Sequence, residues 1–135
     1  MSGTNYKTAT KEEVLEWLLT ERIQVKEFDS GEVHIYKQSL LNGKITYKLL
    51  SQRNNVRKRS DRGDPRVDIR FENKRKSIHV SHLVWMVNTQ MCIPKDFEIH
   101  HRDENPRHNI FTNLLCVHKL DHLKLHADEV DDIPF

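Results

Sequence analysis

EIHHRDENPRHNIFTNLLCVHKLDHLKLH, residues 98–126, is the stretch that decides how this chain is read. It holds six of the nine histidines. The tandem His100-His101 closes a short run alternating between apolar and polar residues. A polar loop with Asn109 and Asn113 follows, and a segment of helical periodicity then carries His118, His122 and His126. Neighbouring side chains on a strand point to opposite faces, which predicts different tasks for His100 and His101. Residues four apart on a helix share a face, so His122 and His126 can hold one ion together. One strand histidine with that helical pair makes three protein ligands and leaves a coordination position open, as a catalytic metal requires. The other tandem histidine is left to act as a base, since an imidazole with a pKa near about 6.5 can take a proton from water at neutral pH.

The pattern resembles the HNH endonucleases and their ββα-metal motif. The resemblance implies that His101 is the general base and that His100 and His122 bind the metal. It also implies that Asn113, in the pair Asn113-Leu114, holds the loop and orients the base. The order His-His, Asn, His-x-x-x-His is most similar to the nuclease colicins, in which the last position, here His126, is a third ligand. The chain before it, from about Ile23, resembles phage and intron-encoded HNH homing endonucleases, which often have Asn or another residue at that last position. Residues 63–87, GDPRVDIRFENKRKSIHVSHLVWMV, resemble the hairpin and helix that precede the active site in that family. His82 takes the place of that helix's histidine and is expected to pack or hydrogen-bond rather than bind metal. His108 and His118 are read as solvent-facing or phosphate-contacting.

The same resemblance implies hydrolysis of DNA phosphodiester bonds, a phage or mobile-element source and a place in the cytoplasm of a bacterial host. It implies a divalent metal cofactor, magnesium or manganese, although imidazole ligands also accept zinc or nickel. One such site cuts one strand, so a monomer nicks and a dimer can break both strands. The alternative is a catalytically weak DNA-binding or adaptor protein that recruits partners through its C-terminal tail. That tail, Asp131-Asp132-Ile133-Pro134-Phe135, resembles the tip of bacterial single-stranded DNA-binding proteins, which implies host proteins that bind the tip as partners.

Charge is unevenly spread. The formal net charge is only +2, yet residues 53–76 hold ten Lys or Arg against four acidic residues, and the last nine residues hold four acidic and no basic ones. A basic middle predicts a nucleic-acid surface. Arg53, Arg57, Lys58, Arg59 and Arg62 in the connector, with Arg102 and Arg107 beside the histidines, are the candidates for phosphate contact. The alternative for the connector is a solvated linker. Cys92 and Cys116 form no CxxC pair, which excludes the structural zinc that some HNH proteins hold on two such pairs. They are expected to be buried thiols of a reducing cytosol. No run is apolar enough to span a membrane, and no signal-peptide pattern begins the chain.

At 135 residues, 36% hydrophobic and with a mean hydropathy of -0.74, the chain predicts one α+β domain with a small core. A mobile start is expected over 1–9, then a helix over 10–23, with Thr10 and Glu13 as a capping box and Val14, Trp17 and Leu18 on its apolar face. Turns at 29–31 and at Gly43 separate β-like runs, and a strand is expected at 44–50. Strands follow at 66–71 and 76–80, then a helix at 81–88 burying Leu83, Val84 and Trp85. The site itself is expected as a strand over 98–102, a loop over 103–112, a strand over 114–117 and a metal-binding helix over 118–129. The division drawn from this is an N-terminal helix, short strands and basic connector over 1–65, the nuclease unit over 66–129 and an acidic tail over 130–135.

Overall fold

The structure is a computed structural model that describes residues 7–54 and 65–121. Its elements, in chain order, are β1 (Lys7–Thr8), α1 (Lys11–Leu19), β2 (Ile23–Glu27), β3 (Val33–Leu41), β4 (Lys44–Leu49), β5 (Arg53–Asn54), β6 (Pro65–Phe71), β7 (Lys74–His79), α2 (Val80–Thr89), β8 (Phe97–His101) and β9 (Leu114–His118). Among the described residues the strands form three sheets, ordered β1-β7-β6-β5, β2-β3-β4 and β8-β9. The α+β class expected from the sequence is the class observed.

Local sequence explains most of these elements. Thr10 Oγ1 accepts from Glu13 N at 3.1 Å and Glu13 Oε1 accepts from Thr10 N at 2.9 Å, a reciprocal cap that starts α1. The helix stops at Leu19 rather than running to 23. Glu21 adopts φ 63, and Thr20 Oγ1 turns back to donate to Glu16 O at 2.7 Å. Ile23 is thereby released into β2, where it is buried. Asn42 and Gly43, both at positive φ, connect Leu41 to its partner Lys44 in the two-residue turn that matches strand twist.

Two pairings had no clear sequence signal. Lys7 and Thr8, in the expected mobile start, pair in parallel with Lys74 and Arg75. Arg53 and Asn54, in the expected connector, pair with Arg66 and Pro65.

The core is a single cluster gathered around α2. Val80, Leu83, Val84 and Met86 of that helix meet Val14, Trp17 and Leu18 of α1, Ile23 and Ile35 of the β2–β3 hairpin, Val67 and Ile69 of β6, and Leu114 of β9. Burial of one such side chain stabilises by about 1.5–3 kcal/mol. The core therefore draws on both sides of the 65/66 boundary. Trp85 is only half-buried, at the edge of this cluster. The distal end of the β3–β4 hairpin stands away from it, with Leu40 72% exposed. No helix among the described residues is long and apolar enough to cross a membrane.

Candidate active site

Strand β8 sets the tandem histidines on opposite faces. Ile99 pairs with Cys116 and His101 with Leu114, so His101 shares the face that packs on the core. His100 pairs with Leu115 on the other face, together with Glu98 and Val117. The strand ends at His101, and β9 starts only at Leu114; the loop between them builds the rest of the site.

That loop is tied from within by side chains. Asn113, 7% exposed, is its central knot. Its Nδ2 donates to His108 O at 2.7 Å and to Asp103 Oδ1 at 2.9 Å, while its Oδ1 accepts from Asp103 N at 3.2 Å. Its backbone carbonyl accepts from Arg102 N at 2.8 Å. Asp103 also accepts from Asn105 N at 2.9 Å and from the imidazole of His108. The His108 hydrogen bond first, and then those from Asn105 and Asn113, hold the Asp103 carboxyl well below the usual carboxylate range. His108, expected to face solvent or phosphate, is instead half-buried and occupied with Asp103.

The side chain that touches His101 is Asn109. His101 Nε2 and Asn109 Oδ1 are 2.7 Å apart, and Asn109 is 2% exposed. Asn109 Nδ2 donates to Pro106 O at 3.1 Å, which turns the amide oxygen toward the histidine. An amide oxygen only accepts, so the His101 Nε2 carries a proton and donates. The contact to the expected base is therefore made by Asn109, while Asn113 holds the loop that places Asn109. The sequence offered one clue to Asn109, a polar residue followed directly by the apolar Ile110 and Phe111.

The β2–β3 turn closes over this loop. Gly31 O accepts from Asn109 N at 3.1 Å. Glu27 Oε1 accepts from Phe111 N at 2.6 Å, and its Oε2 accepts from Asn88 Nδ2 of α2 at 2.9 Å. Gly31 sits at φ +96 against the His108 ring, where an added Cβ would lie 2.4 Å from Cδ2. Both the backbone angle and the close approach require glycine there.

Helix α2 carries His82 beside its N-cap residue His79. Burial first, and then the positive charges of His79, Arg66, Lys11 and His101, push the His82 imidazole down to about 3. It is neutral at physiological pH, and its ring lies 4.9 Å from that of His79. His118 ends β9, and its Nδ1 accepts from Leu120 N at 3.2 Å, where a helical segment opens at 119–121. Cys92 and Cys116 are both free thiols, raised above their usual range by burial.

His122 and His126 lie outside the described residues, as do Arg57, Lys58, Arg59, Arg62 and the tail from Asp131 to Phe135. Among the described residues no three His, Cys, Asp or Glu side chains converge to hold an ion. Arg53 pairs with Asp68 at 2.8 Å while remaining 63% exposed, and Arg102 and Arg107 are exposed on the site loop.

No protein-family model matches the chain. No curated protein matches it in sequence. Among solved structures the fold is similar to that in "DNA binding and cleavage by the HNH homing endonuclease I-HmuI", with a TM-score of 0.52 and 18% sequence identity. The similarity covers 78% of this chain and 53% of the other, so this chain spans about half the length of that one.

Proposed function

We propose that this chain, whose fold is HNH-like, is a metal-dependent endonuclease that hydrolyses phosphodiester bonds in DNA. The observation that carries the reading is the Asn109–His101 hydrogen bond. It orients the imidazole through Nε2, so that in the neutral ring Nδ1 is the nitrogen that can take a proton, at the end of a strand in an HNH-like fold. A general base needs that protonation state and a fixed orientation.

In this reading His101 takes the proton of the water that attacks the scissile phosphate in line. Asn109 stabilises the imidazolium that forms, because its oxygen accepts from Nε2 in both protonation states. Asn113, Asp103 and His108 keep the loop in one shape, so that Asn109 loses little freedom when it does so. His100, with His122 and His126, would hold the divalent ion; an all-imidazole donor set suits zinc or nickel, whereas magnesium or manganese is the ion the HNH resemblance implies. When bound, the ion would stabilise charge on the phosphate and on the leaving 3′ oxygen. Arg102 and Arg107 flank the base on an exposed loop, as residues that contact phosphates do. The products would be 5′-phosphate and 3′-hydroxyl ends. A phage or mobile-element origin and a cytoplasmic site of action belong to the same proposal.

Supercoiled plasmid incubated with a series of divalent metals, with and without chelator, tests it. Nicked or linear product that needs metal is expected, and the ratio of the two reports whether the protein cuts as a monomer or a dimer. Tight DNA binding with no cutting under any ion would replace this reading with that of a DNA-binding protein on a nuclease scaffold.

A further inference from the structure

Beneath the start of α2 lies a pocket of about 330 Å³ whose polar lining is Lys11, Arg66, Lys76, Ser77, His79 and His82. The rest of its wall is apolar, and among the described residues no carboxylate lines it. Two of its cationic groups, Arg66 and Lys11, are weakly answered by the protein. Arg66 Nε is shielded from solvent and makes no hydrogen bond. Lys11 Nζ donates to Ile93 O over a long 3.4 Å. The ten-residue helix α2 begins here with His79 at its N-cap, no side-chain cap and no acidic residue in its first turn. Its amide ends thus add partial positive charge to the same space. Burying a cation without a partner is costly, and a pocket that gathers several is completed by an anion.

We propose that this pocket is a phosphate subsite, which grips a phosphodiester of the DNA strand beside the one presented to His101. Helix α2 links the two places: its N-cap His79 and His82 line the pocket, and the helix packs against β8, the strand that ends in His101. In this arrangement a strand with one phosphate at His101 reaches the pocket with another. The identification of the polymer as DNA rests on the nuclease reading; the anion chemistry of the pocket does not.

The test uses the full chain in EDTA, where binding is read without cutting. Inorganic phosphate titrated into labelled protein should shift the amide signals of Val80, Ser81 and His82 first. Lys11→Gln, at an exposed side chain, and Arg66→Gln should each weaken binding of a DNA duplex about tenfold. Each should also lower the slope of log affinity against log salt by about 1, the signature of one lost phosphate contact. Thermal melting checks that Arg66→Gln is folded, and Lys11→Gln carries the test if it is not. Unchanged duplex affinity and salt slope in Lys11→Gln overturn the proposal, including the case in which inorganic phosphate alone still binds. Weakened duplex binding in a protein that cuts no DNA under any metal supports the subsite while removing the nuclease reading.

Discussion

Asn109 and His101 are joined by a 2.7 Å hydrogen bond between an amide oxygen that only accepts and an imidazole nitrogen that must then donate. The bond is made where Asn109 is almost fully buried, so little water competes for it. It assigns the proton on His101 from geometry alone, because the other end of the same amide is anchored on Pro106 O.

Asn109→Ala should therefore lower kcat for plasmid cleavage by roughly ten- to a hundredfold, the loss of one hydrogen bond to a group that becomes charged, about 1.5–3 kcal/mol. Duplex affinity in EDTA should stay within twofold. Asn109→Asp keeps an accepting oxygen and should recover part of the rate. A wild-type rate in Asn109→Ala would show that the tautomer is set by something else.

His101→Ala should abolish cleavage while the protein still melts cooperatively and binds DNA in chelator. The side chain serves the chemistry rather than the core, which is built from Ile99, Cys116 and Leu114 around it. Residual cutting near the wild-type rate would move the base to another residue.

Gly31→Ala should destabilise the fold by about 1–3 kcal/mol, since it combines a left-handed backbone angle with a Cβ driven into the His108 ring. A chain of this size would lose roughly 4–12 °C in Tm. Gly31→Ala with His108→Ala should recover only the steric part. A Tm unchanged in the single variant would mean that the turn does not close on the loop in solution.

His82 makes stability depend on pH. Its folded-state pKa, about 3, lies below the unfolded value near about 6.5, so between those values protons bind the unfolded chain preferentially. Stability is full above the upper value, falls as pH drops through the window and levels off below it, with a slope of at most about 1.4 kcal/mol per pH unit from this group. Asp103, held low, adds its own loss at the acid end. Denaturant unfolding at pH 7, 5.5 and 4.5 should show a shallower fall in His82→Gln than in wild type. Parallel falls would mean that His82 is protonated in the folded protein.

Much of the scaffold was legible because its signals are local. The Thr10–Glu13 cap, the Asn42-Gly43 turn and the alternation before His100 each lie within a few residues. The end of α1 was misplaced because apolar Ile23 fits a helical period as well as it fits a strand, and only the backbone angle at Glu21 separates the two. Strands as short as Lys7–Thr8 have no period to detect. Within the site, the histidines stood out by number and spacing, whereas Asn109 did not. Its role depends on the path of a loop, and that path is set by Gly31 and Glu27, distant in sequence.

The Glu27 carboxylate, bonded to Phe111 N on one side and Asn88 on the other, has a consequence for how the chain acquires activity. The histidine motif is not a portable cassette. A fragment beginning after the β2–β3 turn would retain His100, His101 and the loop sequence but would lack the clasp that closes over them. During synthesis the order is reversed: the clasp is made first and waits for the loop. A nascent chain thus has no finished site until its C-terminal third has emerged and docked.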